Sequence, residues 1–213
     1  MADFRIPVRH DLYLSSVHEG DKAALLEHLQ SKDVYTTTLN IPHPYTETDA
    51  DFWIHKRLQI TKRQGIEVTF AIRDAKDKLI GVIGADDLEV SRRSVTENRQ
   101  RDNTRPTSST ILNSGLEYRS HRAEIGYWLA QPFWGQGIMT DAVRAFVTYA
   151  FNELELQRLT AHVFQKNLAS ARVLEKNGFK LEGELRQHFL KDGEPLDARL
   201  YGLLRADFVR FKL

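Results

Sequence analysis

The sequence predicts an α+β domain: a mixed, mostly antiparallel sheet containing one parallel strand pair, with helices packed on it. Two patterns predict this. Early in the chain, short alternating apolar segments follow one another across polar turns, as in residues 67–88, which is the pattern of antiparallel hairpins. Late in the chain, residues 123–165 read as strand, amphipathic helix, strand, a unit that pairs its strands in parallel through a right-handed crossover. Of the 213 residues 41% are hydrophobic and 28% charged, which suits one sizeable core, so residues 1–213 are read as a single domain.

The elements follow in order. "HDLYLSSV" (10–17) alternates around Leu12 and Leu14 and reads as the first strand. "EGDKAALLEHLQSKDV" (19–34) carries a helical stripe through Ala24, Leu25 and Leu29, with Asp21 as the expected cap. "NIPHPYT" (40–46) holds two prolines and must be loop. A second helix, "TETDADFWIHKRLQITKRQG" (46–65), starts at Thr/Asp capping candidates and stops at Gly65. "EVTFAIRD" (67–74), alternating Val68, Phe70 and Ile72, forms a hairpin with "KDKLIGVIGADDL" (76–88). "AEIGYWLA" (123–130) and "RLTAHVFQ" (158–165) are strands flanking a helix whose apolar face is Val143, Phe146, Val147, Ala150, Phe151 and Leu154. Asn167 can cap a short helix that Gly178 closes. Two strands around the "KDGEP" turn and a tail complete the chain.

Residues 91–122 differ in character. Seven arginines stand against three acidic residues, and few side chains are apolar. Such a stretch cannot bury enough surface to offset the entropy of ordering it, so it reads as a mobile inserted loop. Two uses stay open: a solvated excursion between two strands, or a basic arm that meets an acidic partner, RNA or a second subunit.

Composition excludes several function classes. Thirty Lys+Arg balance 29 Asp+Glu, which leaves no global field for nucleic acid or an anionic membrane. With no cysteine, disulfides, thiolate metal sites and a cysteine acyl-enzyme are impossible. Eight histidines occur without ligand spacing, so no metal is expected. The N-terminus lacks an apolar signal region and no apolar run has the length of a membrane span. The expectation is a cytoplasmic monomer or homodimer, with nucleic acid reached only through the 91–122 insert.

One stretch breaks a local rule. In "QPFWGQGIMTDAVRAF" (131–146) two glycines stand where a helix begins, although glycine costs a helix about 1 kcal/mol against alanine. A tight turn explains them. So does an anion site, because a helix start presents unpaired N–H groups and a positive dipole end that glycine lets a phosphate approach closely. The stretch is neither a Walker A loop nor a Rossmann fingerprint.

The wider context resembles the GNAT superfamily of acyl-CoA-dependent N-acyltransferases, in its RimJ/RimL-like branch. "FWGQGIMTDA" is similar to that branch's YWG-x-G-x-x-T-E-A, with Trp134 where the wider family has Gln or Arg and Met139 where it has a small residue. "RAEIGYWL" (122–129), "NLASARVLEKNGF" (167–179), "EGELRQHFLKDGEPLDARLYGLL" (182–204) and "PHPYTETDADFW" (42–53) resemble its other segments. The likeness covers nearly the whole chain except 91–122. It implies the GNAT fold, with helices on both faces of the sheet and a parallel pair that splays at an acetyl-CoA site. It implies a pyrophosphate over Trp134, Gly135, Gln136, Gly137, Ile138, Met139 and Thr140, and backbone N–H groups of Tyr127, Trp128 and Leu129 at the thioester. It places Tyr45, Phe52 and Trp53 in the acceptor wall. The transfer it implies is direct, amine onto thioester, with no acylated side chain and no metal.

For single residues two readings stand side by side. Asn167 caps its helix, or its amide holds the pantetheine arm, or both. Ser170 belongs to the helix start, or its hydroxyl protonates the CoA thiolate; the tyrosine many GNAT enzymes use for that task falls here on Leu174. Glu124 bonds a neighbouring strand, or takes the amine proton, with Glu67 the weaker alternative base. The first acceptor class is a protein N-terminal α-amino group of ribosomal-protein type. The alternatives are a small amine (polyamine, amino acid or aminoglycoside) or a non-catalytic acyl-CoA-binding module.

Overall fold

Every strand of the central sheet but one pair runs antiparallel to its neighbour. The computed structural model describes residues 4–86, 90–91, 117–118 and 121–211. The strands are β1 (Arg5–Arg9), β2 (Leu12–Ser16), β3 (Thr69–Arg73), β4 (Leu79–Asp86), β5 (Val90–Ser91), β6 (Glu117–Tyr118), β7 (Arg122–Leu129), β8 (Arg158–Phe164), β9 (Lys180–Lys191) and β10 (Glu194–Leu204). The helices are α1 (Lys22–His28), α2 (Lys32–Thr37), α3 (Glu47–Gln64), α4 (Ile138–Asn152), α5 (Leu168–Glu175) and α6 (Arg205–Phe211). Eight strands form one sheet in the order β1-β2-β3-β4-β7-β8-β10-β9, and β5 pairs β6 in a separate ribbon.

The parallel pair is β7–β8, as the strand–helix–strand pattern predicts. Its ladder holds Arg122↔Arg158, Ala123↔Leu159 and Glu124↔Thr160 and then stops. Both strands continue, β7 to Leu129 along β4 and β8 to Phe164 along β10. The sheet therefore forks after Glu124.

Two apolar layers cover it. On one face α4 and α5 bury Phe146, Val147 and Leu174 against Phe70, Ile83, Ile125, Leu159 and Val163. On the other, α1 and α3 bury Leu25, Ala50 and Ile54 against Val17, Ala71 and Val82. β3 is thus buried on both sides, where its alternation predicts only Val68, Phe70 and Ile72 inside. The full set of neighbouring helices overrides the period-2 pattern.

Other expectations need correction. The single helix over 19–34 is a 3₁₀ turn, α1 and α2, broken at Leu29–Ser31, with Ser31 Oγ accepting from the Val34 N–H to start α2. Asp21 does not cap α1. Its carboxylate instead takes both ends of the buried Arg73 guanidinium, at 2.7 and 3.0 Å, while Arg73 Nε donates to Ser15 Oγ at 2.6 Å. β1 precedes the strand read as first, and the tail is α6. The body of the arginine-rich stretch, including Ile111 and Leu112, lies outside the described residues. Among the described residues no helix is long and apolar enough to cross a membrane.

Both partners of the Arg73–Asp21 pair are 2% exposed. Removing Asp21 leaves the buried guanidinium facing the exposed Asp77 carboxylate, 3.6 Å from Nε, and breaking a buried pair typically costs about 3–5 kcal/mol. Asp21→Ala is expected to lower unfolding stability by that amount in a urea titration, and a loss below about 1 kcal/mol, the usual limit for an exposed pair, would show that water reaches the guanidinium.

Candidate active site

A cavity of about 1280 Å³ opens at the fork. It passes between the two faces of the sheet because β7 and β8 part there. β7 residues alternate in direction: Ile125 and Leu129 join the α4 layer, with Tyr127 packed partly buried against it, whereas Trp128 packs on the α1–α3 layer. Alternation on β8 buries Leu159, Ala161 and Val163 under α4, which leaves Thr160, His162 and Phe164 on the opposite face. Residues of both sets line the one cavity.

The glycines mark its floor. Gly135 and Gly137 both hold φ of +75°, a left-handed conformation that an L side chain adopts only at a cost. A Cβ at either would meet nothing within 4 Å, so the turn and open space are present together. Gly137 is the N-cap of α4 and no side chain caps this helix. By contrast, Thr46 caps α3 with a reciprocal capping box, and Asn167 caps α5. The 15-residue α4 thus turns its uncapped start toward the cavity with its first N–H groups unspent. The Asp141 carboxylate in that first turn lies 3.4 Å from Arg9 and 3.8 Å from Arg144, and Arg172 and Lys176 of α5 also line the cavity. An anion can be held here.

The expected residues fall as follows. Trp134, Gly135, Gly137, Ile138, Met139 and Thr140 line the cavity. Ile138 and Met139 nevertheless bury their side chains in the α4 core, so the methionine puts no bulk over the helix start. Trp134 donates Nε1–H to the Leu129 carbonyl at 2.7 Å, tying the turn to the end of β7. The Gln136 side chain turns back to the Pro132 carbonyl at 3.0 Å. Asn167 accepts from the Ser170 N–H at 3.1 Å and lines the cavity. Leu174 is fully buried.

Ser170 Oγ lies 2.9 Å from the Tyr127 hydroxyl. Burial pushes the Tyr127 phenol well above its ordinary range, with the Ser170 hydrogen bond opposing it. The phenol therefore keeps its proton at working pH. Sequence reasoning names both residues but not their contact, which joins strand to helix across 43 positions.

The other face carries Glu124. Its carboxylate lies 2.8 Å from His162 Nδ1. His162 is the residue sequence reasoning misses, although the inward alternation of Leu159, Ala161 and Val163 already assigns it to the opposite face. Glu67 stays outside the cavity. It accepts from Thr61 Oγ1 at 2.9 Å, and burial pushes its carboxyl up.

Tyr45, Phe52 and Trp53 line the far end of the cavity with Leu25, Leu29 and Val34. Burial and then the Asp49 charge push the Tyr45 phenol up to about 12. Tyr35 of α2 donates to Asp192 in the β9–β10 turn, and Lys191 Nζ sits 3.7 Å above the Tyr35 ring. α2 and the β9–β10 hairpin thus touch, and the same elements contribute Val34, Thr37 and Phe189 to the cavity lining.

Residues 11–180 match the family described as the acetyltransferase (GNAT) domain. The uncharacterized N-acetyltransferase YoaA of Bacillus subtilis is 32% identical over 162 residues, 75% of this chain and 90% of YoaA. The ribosomal-protein-serine acetyltransferase of Escherichia coli is 39% identical over 87 residues, 40% of this chain and 48% of that protein, so this match spans about half its length. In three dimensions the chain is similar to RimL, a ribosomal L7/L12 α-N-protein acetyltransferase solved with coenzyme A. The TM-score is 0.73, with 23% identity, 94% of this chain and 98% of that one covered.

Gly137→Ala is expected to destabilise the fold by about 1–2 kcal/mol from the left-handed backbone alone, since its methyl meets no neighbour. Denaturant unfolding of the variant checks this, and no loss would mean that the turn relaxes to another conformation.

Proposed function

The chain belongs to the GNAT acetyltransferases, and on that premise we propose that it acetylates the α-amino group of a protein N-terminus, using acetyl-CoA. One observation carries the reading: the β7–β8 fork joins an uncapped helix start, a hydroxyl pair and a carboxylate–imidazole pair in one cavity. GNAT acetyltransferases use acetyl-CoA, and the residues present fit it. The unspent N–H groups of α4, with open space before Gly135 and Gly137, suit the pyrophosphate. Backbone groups of Tyr127, Trp128 and Leu129, beyond the end of the β8 ladder, suit the pantetheine arm and the thioester oxygen. Asn167 both caps α5 and faces that arm.

The chemistry needs a neutral amine, a polarised carbonyl and a protonated leaving sulfur. Either hydroxyl of the Tyr127–Ser170 pair can donate, and the arrangement in which Tyr127 donates leaves the serine hydrogen free to point into the cavity. Ser170 then protonates the thiolate, and Tyr127 holds the hydroxyl in place. Glu124 and His162 form the basic side of the site on the opposite face. The acceptor enters between them and the wall of Tyr45, Phe52 and Trp53. The name of RimL supports a protein N-terminus as acceptor, and that of the E. coli relative supports a ribosomal protein.

Three measurements test this. Acetyl-CoA should raise the thermal midpoint of the wild type and raise that of Gly137→Asp far less, because a carboxylate would occupy the anion site; equal shifts would remove the helix start from the cofactor site. Ser170→Ala should lower kcat by about 10²–10⁴-fold with cofactor binding retained, and a kcat within about threefold would leave Ser170 a helix-start residue only. A turnover panel of N-terminal peptides, polyamines, amino acids and aminoglycosides should give its highest kcat/KM on peptides. A small amine in first place would reassign the acceptor, and acetyl-CoA binding with no turnover on any of them would make the chain an acyl-CoA-binding module.

A further inference from the structure

The pair on the acceptor face divides its labour in a way that the Glu124 carboxylate alone does not explain. We propose that His162 is the catalytic base that receives the amine proton, and that Glu124 is a positioning residue acting through it. The proposal rests on the acetyl-transfer reading above.

Place is the first ground. Glu124 is the last residue of the parallel ladder and His162 lies two residues past its partner Thr160, so the imidazole stands in the mouth of the fork. It shares its face with the acceptor wall, with the sheet between it and the Ser170–Tyr127 pair. Base and acid thus approach the same carbonyl from opposite sides, which is what an amine entering one side and a sulfur leaving the other require.

Orientation is the second. The contact with Glu124 is made by Nδ1 at 2.8 Å. With Nδ1–H donated to a carboxylate, the lone pair resides on Nε2, which has no partner among the described residues. The ring is also clamped. His188 of β9 stacks on it at 4.8 Å and 19°, and Phe189 meets it edge-on at 5.8 Å and 80°. A clamped ring with one nitrogen oriented by a carboxylate and the other free is the arrangement of a general base.

The groups facing the ring are few. β7 supplies Glu124, β9 supplies His188, and β10 places Leu200 beside it. Asp86, opposite Glu124 on β4, is occupied by Arg57 of α3 at 3.0 Å. In the step itself, the nitrogen of a neutral amine bonds the acetyl carbon and the C–S bond breaks. His162 Nε2 takes the proton lost by nitrogen, and Ser170 Oγ–H gives one to sulfur. Imidazolium and serine then return to their starting forms by exchange with water, so protons balance without a further reactant.

The test uses the full-length protein, acetyl-CoA and the panel's best acceptor, with kcat/KM followed against pH. Below the ionisations of base and amine, the wild type needs two deprotonations, so log kcat/KM should fall with a limiting slope of two. In His162→Gln the slope should be one and kcat about 10²–10⁴-fold lower, with acetyl-CoA stabilisation retained as evidence of a folded site. Glu124→Gln should keep the slope of two and lower kcat less than His162→Gln does, and a slope of one in Glu124→Gln would make the carboxylate itself the base. An NMR titration of the wild-type His162 ring should coincide with the kinetic inflection and show Nε2 unprotonated above it, a check that needs no variant. A slope of two and near-wild-type kcat in His162→Gln, or a ring titration away from the kinetic inflection, would overturn the proposal with acetyl transfer intact. Absence of wild-type turnover on every acceptor would overturn the acetyl-transfer reading itself, and this assignment with it.

Discussion

The structure depends on a parallel ladder that ends after three residue pairs. Hydrogen-bonding groups of β7 beyond Glu124 and of β8 beyond Thr160 no longer face each other, although each strand stays anchored on its outer side by β4 or β10. Backbone groups withdrawn from pairing must find other partners, and a sheet opened in this way offers them to whatever lies in the gap. The anchoring matters as much as the opening. Two antiparallel neighbours, β4 and β10, hold the outer edges of the fork.

The period of two along each strand then does the sorting. Successive side chains on β7 point to opposite faces, so Glu124 and Tyr127, three residues apart, serve different sides of the sheet. A hydroxyl pair on one side and a carboxylate–imidazole pair on the other never compete for the same space. Helix capping differs from one start to the next. At the start of α3 a threonine spends its oxygen on the backbone. At the start of α4, also in the cavity lining, the sequence supplies glycine and leaves the donors unspent.

Much of this was legible from residues alone. The strand–helix–strand unit, the hairpin of β3 and β4, the Thr46 and Asn167 caps and the Gly65 stop each rest on a local pattern, and each is present. The splayed pair was legible only through family likeness, because the end of a ladder leaves no mark in the hydropathy of either strand. Asp21 misled because an acidic residue ahead of a helix reads as a cap, while its partner Arg73 lies 52 residues away. His162 was missed for a related reason. Its partner is 38 positions distant, and a polar residue on the outward phase of a strand looks solvated until the fold shows what faces it. For the same reason the sequence named Ser170 and Tyr127 without joining them.

The bridge between α2 and the β9–β10 turn has a consequence of another kind. It consists of a tyrosine–aspartate hydrogen bond and a lysine over an aromatic ring, on the surface, where each contact contributes about 1 kcal/mol or less. The buried Arg73–Asp21 pair and the anchored fork are costly to alter, but this span is not. Over evolutionary time, Tyr35, Lys191 and Asp192 can change with little penalty to folding and without touching the reacting groups. Divergence between relatives should therefore collect at this bridge before it reaches the floor of the cavity.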